Sequence, residues 1–244
     1  GDLVGFVSST FYRGISYIQI PTTLLSMIDS SIGGKTAIDM EEGKNLIGSY
    51  HHPDQILIDV NMINDIPRIE INSALFEAIK YGLILDSSLF DFISENFSNL
   101  LNGDMIYQLV EHCCKLKVNV VQNDEMDNNE RKKLNFGHTI GHSIENIYNI
   151  RHGEAVGYGM ILSCYISMRL GSLPEIDYNK LLSLIKKLSL PQIKLDSDLI
   201  LEQMKKDKKR INGKYHFILL NEIGNSYITD EVTDDLIKEA IDTL

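Results

Sequence analysis

The change of texture at Pro67 does most to limit the architectures open to this chain. Before it, apolar residues come in short runs broken by glycine, proline and serine; after it, they recur at helical spacing over long stretches. The spacing predicts helices over residues 71–85, 88–101, 105–123, 134–148, 153–170 and 178–188. A hairpin is expected from 213–220 and 225–229, turning through 221–224, and a last helix from Asp234. Upstream, residues 2–12 have helix-compatible spacing with Arg13-Gly14 as a stop, and 15–21 alternates and is β-branched, hence a strand ending at Pro21. Residues 22–31 read as helical, 32–36 as a loop and 55–59 as a short buried strand. The expected organisation is an α/β layer over 1–65 followed by a mainly α-helical domain over 66–244.

With 244 residues and 43% hydrophobic content, the chain can bury one large core or two modest ones. Its formal net charge of −11 disfavours nucleic acid and anionic membranes as partners, while a local cluster of lysines can still attract a small anion. No apolar run reaches the length of a membrane span. Cys113 and Cys114 are adjacent and Cys164 is distant; an odd count so spaced argues against a disulfide framework and for a reducing compartment, the cytoplasm by default. The opening Gly1-Asp2-Leu3-Val4 reads as the middle of a βα unit, so a fragment or processed product of a longer polypeptide is expected.

Several residues can carry chemistry. His138 and His142 are four apart, on one face of a helix, with Gly137 and Gly141 permitting close backbone approach. Such a pair can bind one metal, with Glu145 as an acidic neighbour, or simply pack; packing is the more frequent outcome for a lone motif. Position 139 is Thr, which removes the zinc-protease His-Glu-x-x-His pattern. Glu77 and Lys80 are three apart on a helix, a spacing that by itself most often means only a surface ion pair of little worth, although Leu75, Phe76, Ile79 and Tyr81 press a crevice reading on them. His152 stands where a loop enters a helix. Lys35 follows Gly33-Gly34, but Asp29 stands where a Walker A loop needs its first glycine. Lys44 and Asn45 follow Gly43, and cations or amides beside glycine turns can hold phosphate.

Taken together and in order, Asp2, Arg13-Gly14, Pro21-Thr-Thr-Leu-Leu25, Asp29-Ser-Ser-Ile-Gly-Gly-Lys-Thr36, Gly43-Lys-Asn45, Glu77-Ala-Ile-Lys80, Lys117, Arg131, Leu134-Asn135, Gly137-His138, Gly141-His142, His152-Gly-Glu154 and Asp207-Lys-Lys209 resemble the 3-dehydroquinate synthases, of the sugar-phosphate cyclases. The resemblance covers nearly the whole chain. It implies part of a Rossmann-like nucleotide-binding domain followed by the helical domain of that family, with NAD and zinc, or cobalt, as cofactors. Glu77, His138 and His152 would then be the metal ligands, and His142 passes from ligand candidate to a residue near the phosphate. Lys35, Asn45, Asn135, His142 and Lys208 match positions around the phosphate, and Asp29 and Lys80 match groups near the substrate hydroxyls. Lys117 and Arg131 match the positions that hold the carboxylate, and Asp2, Thr22, Thr23 and Lys44 those on the nicotinamide side. Arg13 matches a residue that reaches the phosphate from a partner subunit, so a homodimer is implied.

The implied reaction turns 3-deoxy-D-arabino-heptulosonate 7-phosphate into 3-dehydroquinate and phosphate. Lys117 with Arg131 favours this substrate over the carboxylate-free sugar phosphates of related cyclases. Glu77 in place of an Asp, with the cyclase lysines, argues against the glycerol dehydrogenases. Two departures stand out: Asp65 occupies a position where many relatives have Thr, and the segment between His142 and His152 is short. In the family the front of the nucleotide-binding domain lies upstream of the position matched by Gly1, so a non-catalytic, metal-binding piece is the competing expectation.

Overall fold

The structure is a computed structural model that describes residues 1–41, 43–206 and 215–244. Contacts group the chain into two compact units, Gly1–Leu75 with Asn96–Lys132, and Phe76–Glu95 with Lys133–Leu244. The units therefore do not follow a single cut at residue 65, because the helix Gly103–Asn123 belongs with the first.

In the first unit, the helix Asp2–Thr10 runs into a 3-10 turn, Phe11–Arg13, where Tyr12 and Arg13 take positive φ. The expected strand at 15–21 is reduced to Ile18–Gln19, which pairs in parallel with Gln55–Ile56. Residues 22–31 do turn helically, but Ser26–Ser30 is a π-helical turn whose entry is capped by reciprocal Thr23–Ser26 bonds of 3.1 and 3.2 Å. The loop expected over 32–36 gives way at Lys35 to an antiparallel hairpin, Lys35–Met40 with Gly43–Tyr50, most of which had no expected element. Its register slips between Ile38 and Met40, and Asn45 sits at φ 56 with its N–H donated to Asp39. Helix Asp2–Thr10 lies on this hairpin: Gly5 leaves no room for a Cβ against Thr36, and Ser49 donates to Ser9 at 2.7 Å.

The second unit is built on the helix His152–Arg169. Thirteen of its eighteen residues are buried, so it is apolar on every side and lies central in its unit. His138–Tyr148, Glu175–Leu188, Asp234–Ile241 and the strand Phe217–Glu222 pack on it, Asn225–Thr229 pairs with that strand, and Ser197–Lys206 lies on His138–Tyr148 and Asp234–Ile241. Ile140, Ile144, Leu162, Ile166, Phe217 and Leu219, all fully buried, are the middle of this core. Ser197–Lys206 has no counterpart in the expected elements; the others agree within a few residues at their ends. The three cysteines are free thiols, as their spacing suggested, with Cys113 and Cys164 buried. Among the described residues no helix is long and apolar enough to cross a membrane.

Candidate metal centre

Glu77 belongs to the helix Arg68–Ile84 but presents its carboxylate inside the second unit, where it is 2% exposed. His138 and His152 are each the first residue of a helix, so both imidazoles project from helix ends rather than from helix sides. The two helices come together through glycines. Gly137 adopts φ 77, and a Cβ built on Gly159 would stand 1.8 Å from the Gly137 carbonyl oxygen; one on Gly141 would stand 2.9 Å from that of Ala155. Backbone contact of this kind is open only to glycine. It is what brings His138 and His152 to the same carboxylate.

Nε2 of His138 lies 3.7 Å from Glu77 Oε1 and Nε2 of His152 lies 3.6 Å from the same atom. Those separations are too long for hydrogen bonds. They are close to the ~3.4 Å edge of a tetrahedron with ~2.1 Å metal bonds. The three ligand atoms all lie within 4.8 Å of one another. Lys80 pairs electrostatically with Glu77 Oε2, yet neither Glu77 oxygen has a hydrogen bond of good geometry. A buried carboxylate left without hydrogen bonds and faced by two imidazole nitrogens is a site made for a cation.

The outer faces of the rings support the same reading. Nδ1 of His138 meets the Phe136 carbonyl at 3.0 Å, and Nδ1 of His152 meets Glu145 Oε2 at 2.9 Å. Both partners are acceptors, so each neutral ring carries its proton on Nδ1 and turns the lone pair of Nε2 toward Glu77. Burial would raise the Glu77 carboxyl, but the Lys80 ammonium with His152 and His138 outweighs it and holds the group well below the usual carboxylate range. Burial, reinforced by Lys80, pushes His138 down to about 3, which leaves its ring neutral, the form in which an imidazole can ligate. The Glu77 carboxylate raises His152, with burial opposing and Glu145 assisting, and its Nε2 has to give up a proton before it can ligate. The donor set therefore fits zinc or cobalt. Glu145 escaped the sequence reading as a partner of His152; its spacing ties it to the His138 helix, and only packing brings it across. We expect Glu145→Ala to weaken zinc binding about 10–100-fold, read by competition with a chelator.

His142 is a neighbour of this centre rather than part of it: its ring stands edge-on to His138 at 5.2 Å and 6.1 Å from that of His152. Lys80 is 3% exposed and lies over the Tyr81 ring at 5.3 Å, so the Glu77–Lys80 pair is buried and not a surface bridge. Asn135 closes the 3-10 turn Glu130–Asn135 just before His138.

The first unit gathers a second group of candidates. Lys117, 6% exposed, pairs with the Asp29 carboxylate and donates to its carbonyl at 2.5 Å. Arg131, 3% exposed, donates to the carbonyls of Gly33 at 2.9 Å and Glu125 at 2.6 Å. Lys35 pairs with Asp127, a residue at φ 59 that the sequence reading passed over. Asp29, Lys35, Lys117 and Arg131 thus surround the Gly33-Gly34 turn, whose glycines take φ 109 and 66. Asp2, Arg13, Thr22, Lys44 and Asn45 are exposed, and Thr23, also exposed, is engaged as the cap described above. Lys208 lies outside the described residues.

Family models described as 3-dehydroquinate synthase N-terminal and 3-dehydroquinate synthase C-terminal match residues 1–73 and 74–210. The chain is 47% identical over 234 residues to a 3-dehydroquinate synthase of Clostridium perfringens (strain 13 / Type A), covering 93% of the chain and 67% of that relative. Its structure superposes with a TM-score of 0.90, at 28% identity, on a 2-epi-5-epi-valiolone synthase from Streptomyces hygroscopicus subsp. jinggangensis with NAD+ and Zn2+ bound, over 99% of this chain and 69% of that one. A 2-deoxy-scyllo-inosose synthase complexed with carbaglucose-6-phosphate, NAD+ and Co2+ superposes at 0.89 and 29% identity, over 99% and 70%.

Proposed function

The chain belongs to the 3-dehydroquinate synthase family, and from that premise we propose that it converts 3-deoxy-D-arabino-heptulosonate 7-phosphate to 3-dehydroquinate and phosphate, a step in making aromatic amino acids. The observation that carries the reading is the buried Glu77 carboxylate with no hydrogen bond, facing His138 and His152. When bound, NAD supplies a transient acceptor for hydride and zinc a Lewis acid for the reacting hydroxyl and ketone.

The chain's own residues bind, orient and hold protons. Lys117 and Arg131 are assigned to the substrate carboxylate, for which a planar guanidinium is suited and which the carboxylate-free sugar phosphates lack. Lys35, Asn45, Asn135, His142 and Lys208 are assigned to the phosphate, whose departing charge they neutralise. Lys80 and Asp29 are assigned to the hydroxyls, Lys80 being held in place by Glu77. Asp2, Thr22, Thr23 and Lys44 are assigned to the nicotinamide cofactor. Arg13, exposed at φ 66, is assigned to the phosphate bound by a partner subunit, so the protein works as a homodimer, in the cytoplasm.

Removing the guanidinium tests the substrate assignment. Arg131→Ala is expected to raise KM for the heptulosonate phosphate about 10–100-fold, the worth of a charge-assisted hydrogen bond or two, with zinc content unchanged. An unaltered KM would transfer the substrate to the carboxylate-free sugar phosphates.

A further inference from the structure

Asp124 is not among the residues assigned above, yet both of its carboxylate oxygens accept backbone N–H groups. It ends the helix Gly103–Asn123, donating its own N–H to Val120 at 3.1 Å, and is 9% exposed. Its Oδ1 accepts the N–H of Asn128 at 2.9 Å, and its Oδ2 accepts those of Asn129 at 2.7 Å and Arg131 at 3.0 Å. Burial alone would raise this carboxyl, but the three N–H groups, with Arg131, outweigh it and hold the pKa low. No acidic neighbour or metal is needed to explain the group. Its bonds all go to the backbone of one irregular loop.

That loop carries two side chains at the Gly33-Gly34 turn. Arg131 is pinned at both ends: its backbone N–H by Asp124, its guanidinium by the Glu125 carbonyl of the same loop and by Gly33. The fit at the far end is close, since a Cβ on Gly33 would stand 2.1 Å from Arg131 Nη2. Asp127, held at positive φ in the middle of the loop, meets Lys35. A shift of the loop backbone would therefore move the guanidinium along with it.

Resting on the assignment of Arg131 to the substrate carboxylate, we propose that Asp124 is a positioning residue: by gathering the backbone of residues 124–131 it sets the Arg131 guanidinium where the substrate anion meets it. Asn at position 124 has the same shape, but its amide nitrogen faces either the Asn128 N–H or the Asn129 and Arg131 N–H groups, and those lose their acceptor. Misplacement by about 1 Å costs up to about 100-fold in comparable sites.

The test is a kinetic double-mutant cycle on the whole chain. Asp124→Asn is expected to raise KM for the heptulosonate phosphate about tenfold, to leave kcat within about twofold, and to add nothing further in an Arg131→Ala background. Bound zinc serves as the check on folding, since Glu77, His138 and His152 belong to the other unit. Should Asp124→Asn fail to accumulate folded, Asp124→Ser, which retains one oxygen acceptor, carries the same comparison. An unchanged KM in the folded variant, or a rise that multiplies with that of Arg131→Ala, overturns the positioning role while leaving the carboxylate assignment standing. An Arg131→Ala variant with unaltered KM overturns both.

Discussion

Glu77→Gln is expected to lower zinc affinity by more than about 100-fold, because partners one shell further out are already worth about 10–100-fold. The amide keeps the shape and one oxygen but loses the negative charge that two neutral imidazoles cannot replace. The same change leaves the Lys80 ammonium buried without its counter-charge, a condition that costs about 3–5 kcal/mol when one partner of a buried pair is removed. The two effects separate in the double variant Glu77→Gln with Lys80→Met. The apolar replacement removes the stranded charge, so most of the lost Tm returns while zinc stays absent. Zinc titrated by a chromophoric chelator, with Tm followed by circular dichroism, reads both. Wild-type zinc affinity in Glu77→Gln would reject the ligand assignment at its root.

Gly159→Ala is expected to have the largest effect of any single methyl addition described here. The new Cβ would stand 1.8 Å from the Gly137 carbonyl oxygen and 2.7 Å from its carbonyl carbon, and neither atom can rotate away as a side chain does. The helices His138–Tyr148 and His152–Arg169 have to separate. Overpacking typically costs about 1–3 kcal/mol, and contact with backbone places this case at the upper end, about 3 kcal/mol or more. Because His138 and His152 stand at the first residues of those same helices, zinc affinity should fall with stability. Gly171→Ala is the control for a methyl as such: a Cβ there meets nothing within 4 Å, although φ 77 adds a modest backbone strain. Equal Tm for Gly159→Ala and wild type would show that the close helix approach is absent in solution.

Both experiments depend on contacts of very different legibility. The helices Gly103–Asn123 and Glu175–Leu188 could be read because their apolar residues recur at a helical period, and His152–Arg169, apolar on every side, because its apolar run is too long for a strand. The hairpin Lys35–Met40 with Gly43–Tyr50 could not be read, since most of its residues are exposed and its apolar residues fall on both sides of the pleat. The face that helix Asp2–Thr10 covers is met through Thr36 and Ser49, polar residues that leave no apolar alternation in the sequence. The helix Ser197–Lys206 was missed for a different reason. Its buried face is carried by Ile200, Leu201 and Met204 alone, too few apolar residues to set a period within ten.

The metal centre divides the same way. Local spacing offers His138 with His142, because four residues apart on a helix is a relation visible in one dimension. The structure joins His138 to His152 and Glu77, whose Nε2 and Oε1 atoms approach through helix ends drawn together by Gly137, Gly141 and Gly159. The ordered series of motifs pointed to that set without supplying its geometry. The apolar residues beside Glu77 and Lys80 already pointed to a crevice for that pair, but the Glu145 carboxylate behind His152 and the three N–H groups on Asp124 left no mark in spacing or composition.

What the order of residues decided alone is the chemistry on offer: which side chains can ligate, which can bind an anion, and which stretches must be helical to hide their apolar faces. What the folded chain decided is which of those groups share a lone pair's reach. Ligation, desolvation and hydrogen bonding all act over a few ångströms. Residues 77, 138 and 152 come within that range only after the helices that carry them have packed.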